Sequence, residues 1–365
     1  MTAQDDRRHM AHALALARRG LGRVWPNPSV GCVIVQGGVV VGRGHTAPGG
    51  RPHAEPQALA MAGHAARGAT AYVTLEPCAH HGHTPPCAEA LVAAGVARVV
   101  SALQDPDPRV SGGGITILRR AGIAVTTGVM EAEARALQQG FLHRITQGRP
   151  MLTLKLALSL DGRIATAAGE SRWITGPQAR ARVHLMRAQH DAVLVGGGTA
   201  RADDPELTVR GLGIAHQPVR VIAARTLDLP QAGRLAASVA QAPLWLLHGP
   251  DAPQRAHAHW SALGASLIEL PTGATGLDPD ALMAALGARG LTRVFCEGGG
   301  QFAAALLSAG LVDRLEVFGA GLVLGADGHP GLGALPFARL ADAPRFTLET
   351  TTRAGADTWQ GWVRA

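Results

Sequence analysis

A break in the hydropathy pattern constrains this chain most. On either side of residues 140–150, apolar runs of strand length alternate with helix-length segments, and no shared periodicity crosses the gap. A chain of 365 residues is longer than one hydrophobic core ordinarily serves. The break therefore reads as a boundary between two α/β domains, 1–147 and 148–365. Strands alternating with helices cover both faces of a sheet, so each sheet should be parallel or mixed. In the first half Met10, Leu14, Ala17 and Leu21 recur at helical spacing, followed by strands over 31–35 and 39–41 joined at Gly37-Gly38. A helix from Ala54, a strand over 71–75, a helix over 86–94 and a strand over 98–102 complete that run. The second half restarts at Met151 and places buried strands at 191–195, 219–223, 244–247, 266–270 and 293–296.

Composition narrows the function classes. Lys+Arg outnumber Asp+Glu by 34 to 27, but basic pairs such as Arg18-Arg19 and Arg119-Arg120 are scattered, and only 4% of residues are aromatic. A surface built to stack single-stranded bases needs both in one place, so no nucleic-acid partner is expected. Four cysteines are too few for a disulfide scaffold of this length, which fits a reducing compartment. The first residues are acidic where a secretory signal would be basic, and no apolar run reaches membrane-spanning length. The expectation is a cytoplasmic homo-oligomer with no membrane partner. Lys155 is the only lysine in the sequence. Arginine replaces lysine well on a solvated surface and poorly where a compact ammonium must reach one point. A strand lysine is ordinarily an edge or surface residue, but one retained alone points to function.

The sharpest chemical pattern is His53-Ala54-Glu55, Glu76-Pro77-Cys78 and then Cys87. One imidazole and two thiolates make three of the four ligands of a tetrahedral zinc, and a catalytic zinc keeps its last place for water. Glu55, two residues beyond His53, is placed to carry a proton rather than to ligate. Cys78 is expected to open a helix, where the dipole favours thiolate. The alternative is a structural zinc closed by His80, His81 or His83. Cys32 and Cys296 sit in apolar strands and read as inert core residues.

The H-x-E and P-C words resemble the zinc nucleobase and nucleoside deaminase superfamily. Relatives acting on nucleic acid generally place two residues between the cysteines, whereas here eight intervene, Ala79 to Pro86. With Pro26-Asn27-Pro28-Ser29-Val30-Gly31, Gly44-His45 and Asp105-Pro106, that loop is similar to the deaminase half of the bifunctional riboflavin-biosynthesis deaminase/reductase family. The resemblance implies a cytidine-deaminase-like three-layer domain in which Asn27, His45 and the His80–Thr84 loop line the substrate pocket. Two positions depart from the family: His83, where arginine is usual, and Asp107, where asparagine is usual.

In the second half Lys155-x3-Ser159-x-Asp161-Gly162 runs off a strand into a turn. Alternation puts Ser159 and Asp161 on the lysine's side if the strand stays extended. Gly196-Gly197-Gly198-Thr199 and Gly298-Gly299-Gly300-Gln301 each follow a hydrophobic strand. Two such turns in one domain suggest a dinucleotide pyrophosphate, though each alone is also an ordinary flexible turn. Residues 151–363 are similar to the reductase half of the same family through these words and through Gly169–Thr175, Arg187, Asp203-Asp204-Pro205 and Leu207–Arg210. The resemblance implies a dihydrofolate-reductase-like domain. It implies substrate contacts from Ser171, Arg187, Leu207, Arg210 and Glu297, and NADPH contacts from Ala157, Trp173, Thr199, Asp203, Gly299, Gly300 and Gln301. Arg187 and Arg210 could each grip a ribose phosphate, the alternative for Arg187 being a solvated helix face. Arg225 is a candidate for discriminating NADPH from NADH. The implied chemistry is zinc-dependent deamination of a phosphoribosylaminopyrimidine, with Glu55 as proton shuttle, then reduction of its ribosyl group with Lys155 at the sugar oxygen. The rival is a nucleic-acid or nucleoside deaminase with an accessory domain.

Overall fold

The computed structural model describes residues 2–81, 85–273 and 276–365. The chain divides into two compact units, Met1–Gly148 and Arg149–Ala365. Among the described residues no helix is long and apolar enough to cross a membrane.

In the first unit the order is α1 (Ala3–Ala17), β1 (Gly31–Gln36), β2 (Val39–His45), α2 (Ala54–Ala62), β3 (Thr70–Val73), α3 (Cys87–Ala93), β4 (Arg98–Ser101), α4 (Gly113–Arg120), β5 (Ala124–Thr127) and α5 (Glu131–Gln147). The sheet runs β2-β1-β3-β4-β5, antiparallel at its β2-β1-β3 end and parallel beyond. α1 is opened by a capping box in which Thr2 and Asp5 exchange bonds, which satisfies orphan donors of the first turn. Cross-strand register fixes the layers. Cys32 pairs with Gly44 on one face and Gly31 with His45 on the other. A Cβ on Gly31 would lie 1.9 Å from the Ala13 carbonyl oxygen of α1, and one on Gly44 would lie 2.3 Å from the Ala54 carbonyl oxygen of α2. Helices therefore press on opposite faces, which gives three layers. Two expectations are corrected here. The pattern does not stop at Gly140, because α5 runs to Gln147 and buries Leu137, Gly140, Phe141 and Leu142. Cys78 opens no helix: it lies in irregular chain after β3, and Cys87 is the first residue of α3.

The second unit contains β6 (Met151–Leu158), β7 (Arg163–Ala165), α6 (Pro177–Ala188), β8 (Ala192–Gly196), α7 (Gly197–Asp203), β9 (Val219–Ala223), α8 (Arg234–Ala237), β10 (Leu244–His248), α9 (Gln254–Ala262) and β11 (Ser266–Glu269). There follow β12 (Thr272–Gly273), β13 (Gly276–Leu277), α10 (Pro279–Ala288), β14 (Arg293–Cys296), α11 (Gly300–Ser308), β15 (Arg314–Gly319), β16 (His329–Pro330), β17 (Phe346–Ala354) and β18 (Asp357–Arg364). The sheet order is β11-β10-β9-β8-β14-β6-β15-β18-β17, parallel from β11 through β15 and closed by the antiparallel β18-β17 edge. Six strands, β6, β8, β9, β10, β11 and β14, fall where apolar runs placed them; β15 and the C-terminal hairpin do not announce themselves, and β17 exposes six of its nine positions as an edge strand. Strand β6 ends at Leu158, so alternation stops before Asp161 and the side shared with Lys155 is not kept: the Ser159 N–H bonds the Arg163 carbonyl at 2.9 Å and the chain turns through Gly162 at φ +78°.

Candidate active sites

The first site is assembled where α2 meets the segment after β3. Gly42 and Gly44 allow this: a Cβ on either would come within 2.3 Å of an α2 carbonyl oxygen, so only glycine lets that helix lie so close to β2. His53 caps α2 and Glu55 lies in its first turn. Cys78 is held by its own segment, because buried Glu76 accepts N–H bonds from Asp105 at 3.3 Å, Gly112 at 3.0 Å and Ile115 at 3.2 Å. The ligand atoms of His53, Cys78 and Cys87 lie within 4.8 Å of one another. His53 Nδ1 is 3.3 Å from Cys87 Sγ and 3.7 Å from Cys78 Sγ. The Cys87 N–H, at the α3 N-terminus, donates to Cys78 Sγ at 3.2 Å. The helix dipole thus favours the Cys78 thiolate from across the loop rather than from its own helix.

The electrostatics agree with a metal-ligating set. Hydrogen bonds from the Cys87 thiol and from His53 hold Cys78 down at about 4, against its burial. His53 is raised by its bond to Cys78. Burial, then the Cys78 thiolate, push Glu55 up to about 7, a value suited to taking and returning a proton near neutrality. His80 and His81 do not join the group, whereas Gly82, His83 and Thr84 of the expected pocket loop lie outside the described residues. A donor set of one nitrogen and two sulfurs, one already a thiolate, fits zinc with its fourth ligand coming from outside the described side chains.

Of the expected substrate contacts in this unit, Asn27 packs against Gly50, and His45 ends β2 with Nδ1 at 3.0 Å from the Thr46 carbonyl oxygen. Sequence reasoning missed Gln57. Its amide donates to the carbonyls of His45 at 2.5 Å and His53 at 2.9 Å, tying both expected site residues to one helix. The available signal was its place one helical turn after His53. Cys32 is buried and its thiol raised by desolvation, an inert core residue as expected. The departure at Asp107 is compensated locally, since its carboxylate clamps Arg109 with contacts of 2.9, 3.1 and 2.5 Å.

The second site lies at the carboxyl ends of adjacent parallel strands β8, β14 and β6. Cys296 pairs with Leu154 of β6, which sets Glu297 beside Lys155. Burial pulls the Lys155 ammonium below the usual lysine range, Glu297 pulls it back up and Arg187 lowers it. Arg187 is no solvated helix residue: it grips Glu297 at 2.5 and 3.1 Å and donates to the Thr208 carbonyl at 2.9 Å. These bonds use three of its five N–H groups, and Arg210, which bonds Glu206 at 2.6 Å, is the more exposed of the two arginines. His184, one turn before Arg187 and unforeseen, accepts the Arg210 N–H at 3.2 Å.

Both glycine turns precede helices: Gly196 caps α7 and Gly299 caps α11. They are stitched together by Thr199, whose hydroxyl accepts the Gly299 N–H at 2.9 Å. Gly198 has open space where a Cβ would point. Two neighbouring helix starts, with open space at Gly198, offer main-chain N–H groups of the kind that a dinucleotide pyrophosphate takes. Asp203 ends α7 and its carboxylate is 3.5 Å from Arg172. Trp173 is 68% exposed beneath Arg180, 4.5 Å from its ring centroid. Ala157 is half-buried on β6, Leu207 is buried at φ +55°, and Ser171 lies in the irregular segment before α6. Arg225 is exposed at the end of β9, 3.5 Å from Asp251.

Comparison with known proteins agrees across both units. Residues 3–103 match the family described as the cytidine and deoxycytidylate deaminase zinc-binding region, and residues 150–359 match the RibD C-terminal domain. The riboflavin biosynthesis protein RibD of Escherichia coli strain K12 is 45% identical, with 97% of this chain and 98% of that protein covered. The structure of RibD from Acinetobacter baumannii superposes with a TM-score of 0.89 at 39% identity over the whole of both chains. A diaminohydroxyphosphoribosylaminopyrimidine deaminase/5-amino-6-(5-phosphoribosylamino)uracil reductase from Thermotoga maritima superposes with a TM-score of 0.87 at 32% identity, covering 100% of this chain and 99% of that one.

Proposed function

The chain belongs to the RibD family of riboflavin biosynthesis proteins, and on that premise we propose that it carries out two consecutive reactions at two sites. Its folds are those the resemblance implied, a cytidine-deaminase-like unit followed by a dihydrofolate-reductase-like unit. The proposed first reaction is hydrolytic removal of an amino group from 2,5-diamino-6-(5-phosphoribosylamino)pyrimidin-4(3H)-one, releasing ammonia. The second is reduction of the product's ribosyl group to ribityl at the expense of NADPH. The boundary is proposed at 147/148.

In the first site His53, Cys78 and Cys87 would hold zinc, which when bound supplies Lewis-acid activation of water. Glu55, buried beside the sulfurs, takes the proton from the attacking water and delivers it to the departing nitrogen. Asn27 and His45 orient the pyrimidine. In the second site NADPH, when bound, supplies the hydride. Thr199, Asp203, Gly299, Gly300 and Gln301 hold its phosphates and ribose at the two helix starts, with Ala157 and Trp173 flanking it. Lys155 protonates or orients the sugar oxygen at C1, while Glu297, braced by Arg187, holds the opened chain. Ser171, Arg187, Leu207 and Arg210 contact the substrate, Arg210 through its phosphate. Four unpaired cysteines support a reducing, cytoplasmic setting, and a homo-oligomer without nucleic-acid or membrane partner is proposed.

The observation that carries the reading is the buried Glu55 beside a zinc-competent His-Cys-Cys set, in a chain whose other unit places its one lysine beside a clamped glutamate. The test is a coupled assay of purified protein with zinc, the diaminopyrimidine substrate and NADPH, following ammonia and nicotinamide absorbance separately. Both signals are expected. Ammonia without NADPH oxidation would sink the reductase assignment, and deamination of single-stranded DNA or transfer RNA instead would favour a nucleic-acid enzyme.

A further inference from the structure

The turn that ends the lysine-bearing strand β6 also gathers a distant segment. The Ser159 hydroxyl donates to Asp161 Oδ1 at 2.5 Å and accepts the Arg163 N–H at 2.8 Å. The Asp161 carboxylate then accepts the N–H groups of Leu324, at 3.2 Å to each oxygen, and of Gly325 at 2.7 Å. Two main-chain bonds flank this anchor: Ala320 N–H to the Leu158 carbonyl at 2.8 Å and Leu160 N–H to the Leu322 carbonyl at 2.7 Å. Residues 320–331 thus form a strap laid over the end of β6, and β16 within it pairs with β7.

The far end of the strap closes on the glycine turn before α11. Gly331 N–H bonds the Gly162 carbonyl and, two residues beyond the strap, Gly333 N–H bonds the Gly300 carbonyl, each at 2.9 Å. A Cβ on Gly300 would lie 2.8 Å from the Pro330 carbonyl oxygen, and one on Gly333 would lie 3.2 Å from the Gln301 Cα. The strap and the turn are therefore in contact without slack. Donors that read a phosphate contribute most when they are fixed beforehand, since ordering them on binding costs affinity.

We propose that Asp161 is a positioning residue for the reduction, pinning the 320–331 strap to the end of the Lys155 strand so that the strap fixes the Gly299–Gln301 turn for the dinucleotide. The inference rests on the reductase reading above. Asp161 itself need touch neither cofactor nor substrate. A carboxylate is suited to the task because charge-assisted bonds to several N–H donors are stronger than neutral ones and converge on one point.

The test is Asp161→Ala in the full chain, with steady-state NADPH oxidation, ammonia release and hydrogen exchange of the same protein. The expected result is a KM for NADPH raised about tenfold, unchanged ammonia release, and faster exchange confined to 320–331 and 298–301. Asp161→Asn, which keeps one acceptor oxygen, should fall between this variant and wild type, and decides by the same readouts if Asp161→Ala does not fold. An unchanged KM with faster exchange in the strap alone would overturn the proposal, because the strap would then be uncoupled from the turn. Faster exchange throughout β6, β8 and β14 would overturn it too, by making Asp161 merely structural. Wild-type protein that does not oxidise NADPH would instead sink the reductase reading.

Discussion

Glu55 is 3% exposed, next to two sulfurs and one residue from the start of a helix that only glycines allow so close to β2. A glutamine there keeps the size and loses the proton traffic. Glu55→Gln is expected to lower ammonia release by about 10²- to 10⁴-fold, the usual range for removing a general acid–base group. Metal analysis of the variant should return wild-type zinc, since Glu55 is not in the ligand set; loss of zinc together with activity would make Glu55 a ligand or a structural residue. Lys155 is tested by the substitution its sequence context makes pointed. Lys155→Arg keeps the charge but presents a planar fork that cannot readily give up a proton, and NADPH oxidation should fall at least 10²-fold with ammonia release intact. These residues were legible because their type was informative: an H-x-E beside two cysteines, and a single lysine among arginines. Gln57 and His184 were not, because they act on main-chain groups, and such bonds leave no compositional trace.

Strands β6, β8, β9, β10 and β14 of the second sheet could be placed from apolar runs because buried parallel strands are apolar on both faces, whereas the half-buried β15 could not. The β17-β18 hairpin could not, since its outer strand is an edge with polar positions facing solvent. Nor could the closeness of α2 to β2 be read, because a glycine in a strand marks either a bend or a close approach and the sequence does not say which. That closeness yields a prediction. Gly44→Ala places a methyl group 2.3 Å from the Ala54 carbonyl oxygen, so α2 must shift and His53 with it. Overpacking of this kind costs about 1–3 kcal/mol, and zinc affinity and ammonia release should drop while NADPH oxidation does not; retention of wild-type zinc affinity would show that α2 accommodates the methyl group. A second element-level prediction concerns α6 against β6. His190, buried in the bend just after α6, has Nδ1 2.7 Å from the Met186 carbonyl oxygen and Nε2 3.0 Å from the Thr153 hydroxyl. Burial and then Arg293 hold its pKa down at about 3. The unfolded chain binds a proton at this residue near pH 6.5 and the folded chain does not until about pH 3. Stability is therefore complete above pH 6.5 and declines as pH falls through that window, by roughly 4–5 kcal/mol at its foot. Urea unfolding of the second unit at several pH values should show this acid slope, and His190→Gln should flatten it; an unchanged slope would assign it to other groups.

At the scale of the molecule, all groups proposed for deamination lie within Met1–Gly148 and all those proposed for reduction within Arg149–Ala365. Neither set borrows a residue from the other unit, so the two reactions should respond independently to loss of metal. Thiols and an imidazolium must shed their protons to ligate, so the metal is removable by a chelator, the more so as pH falls. Dialysis of the full chain against a zinc chelator is expected to abolish ammonia release from the diaminopyrimidine, and added zinc to restore it. Supplied with the already deaminated compound, the same chelated protein should oxidise NADPH at the untreated rate, because Lys155, Glu297 and the two glycine turns hold no metal-ligating cluster among the described residues. A parallel loss of both activities would mean that the zinc unit supports the reductase unit structurally, and the assignment of two self-sufficient sites would have to give way to one in which the first half is also a scaffold for the second.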